Sequence, residues 1–450
     1  MTMAETMELT SLNNRRIWRL TWPVLVSLLM QHLVGMTDTA FLGRVGEVEL
    51  GAAALGSIYF LAVYMVGFGF SVGAQIIMAR RNGEGNFAGI GRIFFCCCQF
   101  MVVLAALLFL LSRFLTPLIL RSVITSEAVY TETIRYLDWR TLGFFVVFQA
   151  VMFRAFFVAV TDTKVLTLSS VVMLLTNTAL NYVLIFGKCG LPALGVAGAA
   201  VASVIAEGAG VIFFIVYIKW RVDAVKYALN SVGRFSWKLL GEIMNTSIWT
   251  MLQLFIAVGI WFWFFLAVEH LGEQSLAVGN IIRSVSSISF MILSAFATVT
   301  SSLVSNLIGA GHSDQVIKLV RRMVMLAFVG TGISLLLFCL FPVPVLRIFT
   351  DSEVLIEATR ATTYAIVINT LIQTAAYILF NAVTGTGNTR VALLIELVAT
   401  AVYAAAIYQV VTVWRSNMAW CWLCDSSYAL TVGVISFLYL WSGRWKNRRV

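Results

Sequence analysis

Apolar runs of twenty residues or more follow one another along the whole chain, and each is closed by a short stretch carrying Gly, Pro or charge. A run of that length crosses a hydrocarbon core of roughly 30 Å as helix, and no water-soluble domain fits between the runs. Read against their punctuation, the runs predict twelve spans, at 17–42, 50–79, 90–113, 128–159, 165–187, 193–219, 240–268, 276–308, 316–341, 354–383, 391–414 and 419–442. The expected fold is an all-α polytopic membrane protein. The first run starts at Ile17, after Arg15 and Arg16, is too long for a signal-peptide core and lacks a small-residue cleavage pattern, so it is expected to remain as the first span.

A repeat organises the spans. GEVEL at 46–50 matches GEQSL at 272–276, NGEGN at 82–86 matches IGAGH at 308–312, SE at 126 matches SE at 352, and TK at 163 matches TR at 389, always 226 residues apart. A constant offset without insertion marks two homologous halves. Six spans return the chain to its starting side, so the halves are parallel and related by a pseudo-twofold axis along the membrane normal, as in transporters whose site lies between the halves. The expected organisation is an N-terminal six-helix bundle at 1–219, a polar cytoplasmic linker at 220–239 and a C-terminal six-helix bundle at 240–450. Duplication alone does not establish transport, because channels and membrane enzymes duplicate too.

Composition agrees with the pattern: 60% of residues are hydrophobic and 12% charged, about half the charged share of a soluble domain. A net charge of +10 could suit nucleic acid, but the Lys and Arg residues sit at the ends of apolar runs, where they set topology. No nucleic-acid partner is expected; the partner is the bilayer. The basic residues favour one side and place both termini in the cytoplasm, with the chain in the plasma membrane, the inner membrane of a bacterium. Most of the seven cysteines lie within apolar runs as small hydrophobes. Cys421 and Cys424 form a CxxC with no second pair, and His32, His270 and His312 make no metal spacing. Neither HExxH nor paired aspartates occur, so an enzyme is not expected, nor a cofactor.

The informative residues are polar ones inside the spans. An aspartate at a helix centre costs about 2.5–3.5 kcal/mol on insertion scales. Asp38 lies about a turn from the outer end of its helix, where snorkelling is one explanation for it. Ser27, Gln31 and Asp38 fall within about 40° on one helical face, however, and a polar stripe on a span faces protein or water. Ser170, Asn177 and Asn181 share a face of the fifth span, as interhelical glue or as carbonyl and amide partners for a cation or a carboxyl. Ser203 and Glu207 stand four apart among small residues of the sixth span; Glu207 is either a second titrating group or the partner of Arg140 or Arg154. In the second half there is no acid between Met244 and Leu266 or between Ile366 and Phe380, and Glu396 reads as the only deep acid. Trp249, Trp261 and Trp263 with Phe262, Phe264 and Phe265 read mainly as belt and lipid contacts, a minority as a wall for flat cations.

Over essentially its whole length the chain resembles the multidrug and toxic compound extrusion (MATE) family. WPVLVSLLMQHLVGMTDTAFLGRVG is similar to that family's first helix, with Pro23, Gln31 and Asp38, and NGEGN, IGAGH and GTGNTR resemble its glycine-containing turns. The resemblance implies an antiporter that expels amphipathic, often cationic organic compounds in exchange for H+ or Na+ by rocking two six-helix bundles about a central cleft, as a monomer. It places the cation site at Asp38, Asn177, Asn181 and Ser203, with Na+ at the first three as one option, and makes Gln31, Pro23 and Glu207 candidates for the substrate cleft and its gating. Some members carry aspartate where Asn181 stands, which weakens the case for tight Na+ binding. Acids in the seventh and tenth helices, used by another branch, are missing. The rival reading is a flippase for lipid-linked saccharides of related architecture, which needs several cavity cations; the deep spans offer few, mainly Arg140 and Arg283.

Overall fold

The structure is a computed structural model that describes residues 13–230, 233–269, 271–348 and 350–446; His270 lies outside them. Among these residues there is no strand, and twelve helices are long and apolar enough to cross a membrane. They are α1 (Asn14–Leu42), α2 (Glu47–Gly83), α3 (Phe87–Val123), α4 (Glu127–Ala159), α5 (Lys164–Phe186) and α6 (Val196–Arg221). The second half supplies α7 (Trp237–Glu269), α8 (Glu273–Gly309), α9 (Ser313–Leu340), α10 (Glu353–Gly385), α11 (Thr389–Val413) and α12 (Met418–Trp441). Large apolar side chains are exposed along single faces, such as Leu107, Leu111, Phe114 and Leu118 of α3, as lipid-facing helix surfaces require.

The repeat has a physical content at the helix starts. Ser126 and Ser352, 226 residues apart, cap α4 and α10, each hydroxyl accepting the amide three residues on. Just outside those caps Arg121 pairs with Glu127 at 3.1 Å and Arg347 with Glu353 at 2.6 Å, again 226 apart. The turns NGEGN and IGAGH place Gly85 and Gly311 at φ of 74° and 80°, where a side chain would be strained.

Two features depart from the expected spans. α3 continues ten residues past 113, because Arg113 does not end it: its guanidinium pairs with Asp138 of α4, and the apolar Phe114, Leu115, Leu118 and Ile119 follow it. The segments 222–230 and 233–236 are non-helical but packed: Gln99 Nε2 donates to Gly233 O at 3.2 Å, and the Lys226 ammonium lies 4.1 Å from the Phe87 ring centroid.

By their internal packing the described residues group into two compact units. One is 22–82 with 86–251; the other joins the chain before Trp22 and 83–85 to 252–450. The divisions fall inside α1, beside Pro23, and inside α7. The segment 220–239 therefore belongs wholly to the first of these units.

Candidate functional site

α1, α5 and α6 build the site. Their approach is set by small residues: a Cβ on Gly198 of α6 would stand 2.7 Å from Leu184 O of α5, so only glycine lets these backbones come so close. That proximity puts Asn177 Nδ2 within 3.2 Å of Ser203 Oγ.

Asp38 projects into this corner. Its Oδ1 accepts from Asn181 Nδ2 at 2.6 Å and from Asn177 Nδ2 at 3.1 Å, and its Oδ2 accepts the Ser203 hydroxyl at 3.0 Å. Asn181 Nδ2 also donates to Asn177 Oδ1 at 3.0 Å. Both asparagines are fully buried. Asp38 thus does not snorkel, although it lies only four residues, roughly 6 Å, from the end of α1. The four residues that the family resemblance groups stand together, and among the described residues Asp38 has no ion-pair partner. One atom is left over: Asn181 Oδ1 is buried without a donor, a carbonyl oxygen beside a carboxylate that a cation or an O–H donor would satisfy.

The other candidates lie around this set rather than in it. Pro23 sits inside α1, and its carbonyl accepts the Thr167 hydroxyl of α5 at 2.9 Å. Gln31 is half-buried and makes no hydrogen bond to the Asp38 group. Glu207 takes a bidentate pair from Arg140, Nη1 to Oε2 at 3.0 Å and Nη2 to Oε1 at 2.7 Å, and the guanidinium lies 3.7 Å from the Phe60 ring centroid. Of the two partners the sequence left open for Glu207, the structure takes Arg140. A three-residue 3-10 turn, Thr141–Gly143, breaks α4 next to this pair. Gly143 leaves it room, since a Cβ there would stand 2.9 Å from Arg140 Nη1.

The second half does not repeat the site. Positions 226 on from Asp38, Asn177, Asn181 and Ser203 are Phe264, Tyr403, Ile407 and Ala429, all buried. Phe264, Tyr403 and Ile407 share one core with Trp422, Cys421 and Cys424, and the Phe264 and Trp422 rings meet edge to face at 5.5 Å. Phe264 is therefore core, while Trp261, Phe262 and Trp263 beside it are exposed. The CxxC thiols are free and buried in that core, and among the described residues no cluster of His, Cys, Asp and Glu could hold a metal.

Glu396 is not the only deep acid of that half. Asp425 is the eighth residue of α12, as Glu396 is of α11. Its Oδ2 accepts from Asn369 Nδ2 at 2.7 Å, and Asn369 Oδ1 accepts the Ser426 hydroxyl at 3.2 Å. Glu396 accepts the Tyr428 hydroxyl at 2.8 Å. In the sequence the signal for Asp425 is WCWLCDSS, an aspartate inside an apolar run directly after the CxxC.

Comparison with known proteins follows the repeat. The MatE family model matches residues 23–183 and 250–408, one match in each half. A probable multidrug resistance protein NorM of Thermotoga maritima is 24% identical over 449 residues, covering 97% of this chain and 94% of the relative. The NorM of Agrobacterium fabrum is 28% identical over 350 residues, 76% of this chain and 74% of its own. Among solved structures, an outward-facing multidrug resistance MATE family transporter of the MOP superfamily superposes with a TM-score of 0.87 at 17% identity over 96% of both chains. A MOP superfamily transporter from Pyrococcus furiosus, described as having a binding pocket of reversed polarity, gives 0.86 at 18% identity over 95% of both.

Proposed function

The chain belongs to the MatE family, and from that membership we propose that it is a secondary antiporter of the inner membrane, with both termini in the cytoplasm, that exports amphipathic organic compounds, often cationic, in exchange for H+ or Na+. The observation that carries the reading is Asp38: a carboxylate inside a span, held by three donors and with no counter-cation from the described residues. Such a group is stable only while it is hydrogen-bonded, protonated or bound to a cation, so its occupancy is linked to how the helices around it pack.

The donor pattern bears on the choice of ion. In the geometry described, Asn177, Asn181 and Ser203 all point N–H or O–H groups at Asp38, which suits the ionised carboxylate. Taking up a proton asks only that the Ser203 hydroxyl rotate from donor to acceptor. Taking up Na+ asks the amides to turn carbonyl oxygens inward, with Asn181 Oδ1 the first available. The geometry thus favours H+, with Na+ as the second reading.

Neutralising Asp38 would weaken its hold on α5 and α6 and release the outer half of α1. The weak point is Pro23, which gives no amide to the helix ladder and whose carbonyl is tied to Thr167. A cation entering from outside would then favour one packing of α1 and the substrate another, which is the coupling an antiporter needs. The flippase reading is disfavoured because Arg140, one of the few deep cations, is already engaged by Glu207.

The test is uptake of a fluorescent organic cation into everted vesicles under an imposed H+ or Na+ gradient, for the native protein and for Asp38→Asn. Transport that follows the H+ gradient and is lost in the variant is expected. Full gradient-driven transport by the variant would remove Asp38 from coupling. A folded native protein that moves nothing under either gradient would overturn the antiporter reading.

A further inference from the structure

The second half holds a cavity of about 740 Å³ between the start of α11 and the end of α12. Its lining is apolar at Val391 of α11 and Leu438 of α12, and polar at Asn388, Tyr439, Ser442 and Arg444. Among the described residues that line it there is one cation, Arg444, and no acid.

Local structure fixes this corner. Gly443, just past the end of α12, turns at φ 67°, and the chain folds back so that Trp445 is fully buried, its indole Nε1 donating to Leu440 O at 2.9 Å. That anchor sets the adjoining, exposed Arg444 on the cavity. Asn388 precedes α11, but its side chain does not cap that helix; its Nδ2 donates to the Tyr439 hydroxyl at 2.6 Å instead. The phenol oxygen is the acceptor of that bond, which leaves its own proton for another acceptor.

The level is that of a lipid headgroup. Trp441, 78% exposed, ends α12, and tryptophan at the end of a span marks the membrane–water boundary. Beyond it four of the last eight residues are cationic, Arg444 and Lys446 with Arg448 and Arg449 outside the described residues, and no acid follows Asp425. A basic pocket beside membrane helices suits an anionic headgroup, whose charge meets the cation while its chains lie along apolar helix faces. The first half offers no equivalent: 226 residues before Asn388 and Tyr439 stand Asp162 and Phe213, a carboxylate that repels an anion and a ring that cannot donate to one.

We propose that this cavity binds one anionic phospholipid of the leaflet on the side of the termini, its phosphate seated on Arg444 and the Tyr439 hydroxyl and an acyl chain along Val391 and Leu438. The site is independent of which compound is exported and of which ion drives it.

Bound lipid is counted by native mass spectrometry on the purified full chain in neutral detergent, with a phosphatidylglycerol and a phosphatidylcholine of the same acyl chains. The native protein is expected to hold one phosphatidylglycerol about tenfold more tightly than phosphatidylcholine, the range of one charge-assisted hydrogen bond. Arg444→Gln should abolish the preference, and so should Asn388→Asp, which puts the carboxylate of the first half into the cavity. Lys446→Gln removes an equal charge without touching the lining and should keep it. Equal binding of the two lipids by the native protein, or a preference kept in Arg444→Gln or in folded Asn388→Asp, overturns the site. A loss in Lys446→Gln as large as in Arg444→Gln overturns the cavity in favour of diffuse attraction to the basic tail. If Asn388→Asp does not fold, the other two variants, both at exposed positions, decide. Glycerol phosphate separates headgroup from lipid: failure to displace phosphatidylglycerol at equal concentration supports the lipid, and displacement gives the site to a free phosphate and overturns the lipid assignment.

Discussion

At the scale of single residues, the charges inside the spans separate into those with partners and those without. Arg140 and Glu207 satisfy each other, with side chains 11% and 14% exposed. Removing one member of such a pair leaves the other uncompensated, which typically costs about 3–5 kcal/mol, while replacing both by apolar residues of similar volume is often neutral. Glu207→Gln is therefore expected to lower the melting midpoint in detergent by several degrees, and Arg140→Met with Glu207→Met to recover most of it. A double variant as unstable as the single one would show that the pair acts through something other than its charges. A second prediction concerns the loop between α4 and α5, where Asp162 accepts the Tyr217 hydroxyl at 3.3 Å and burial pushes its carboxyl above the ordinary value of 3.8. The folded state then binds this proton more tightly than the unfolded one, so stability falls as pH rises through the window that opens at 3.8 and extends upward. Asp162→Asn should flatten that part of the pH–stability profile, read as melting midpoint against pH; an unchanged slope would go against the assignment. Much of this scale was legible in the sequence. Asp38, Asn177, Asn181 and Ser203 stood out because a polar residue in an apolar run is costly and helical spacing gathered them on faces. The choice between Arg140 and Arg154 for Glu207 turns on depth: the two lie fourteen residues, roughly 21 Å, apart along one span, more than a side chain bridges, so only one of them can share the level of Glu207.

At the scale of elements, the close approaches are set by glycine, and a sequence shows glycines without showing what they touch. Gly69 and Gly73 of α2 stand one turn apart. A Cβ on Gly69 would lie 2.6 Å from Met251 Cα, and one on Gly73 2.5 Å from Ser247 Cα, both backbone atoms of α7. The contact is sealed by the Thr250 hydroxyl donating to Gly69 O at 2.7 Å, the small-residue packing common between membrane helices. Gly73→Val must push α2 off α7 and is expected to cost about 1–3 kcal/mol, seen as a lower melting midpoint. Gly35→Ala in α1 is the control, because a Cβ there meets nothing within 4 Å; it should leave the midpoint unchanged or raise it. Equal losses in the two variants would go against the α2–α7 contact as the reason for glycine at 73. Helix existence was readable from apolar length, whereas the end of α3 was not, because Arg113 looks like a stop in one dimension and finds Asp138 only in three.

At the scale of the whole molecule, the 226-residue repeat is kept where it shapes helix starts and turns and broken at the buried Asp38 set. The caps at Ser126 and Ser352 and the left-handed glycines at 85 and 311 recur, since every copy of a helix start or a tight turn has the same backbone need. The Asp38 set does not recur, and its counterparts Phe264, Tyr403 and Ile407 belong to one buried apolar core. The repeat also fixes topology, because six spans per half bring the chain back to its starting side. The loop between α5 and α6 must then lie on the face opposite the termini. Cys189 sits in that loop and is exposed, which makes it a native reporter. In intact cells, with Cys339→Ser to remove the other exposed thiol, a membrane-impermeant maleimide is expected to label Cys189. With Cys189→Ser and Ser442→Cys, labelling should require that the membrane first be opened, because residue 442 follows α12 on the side of the N-terminus. Labelling of both positions in intact cells would break the even count of spans, and the reverse pattern would invert the orientation that the Lys and Arg distribution predicts. An inverted chain would open the Asp38 end of α1 to the cytoplasm, so the same labelling result decides from which side a cation would enter in the proposed exchange.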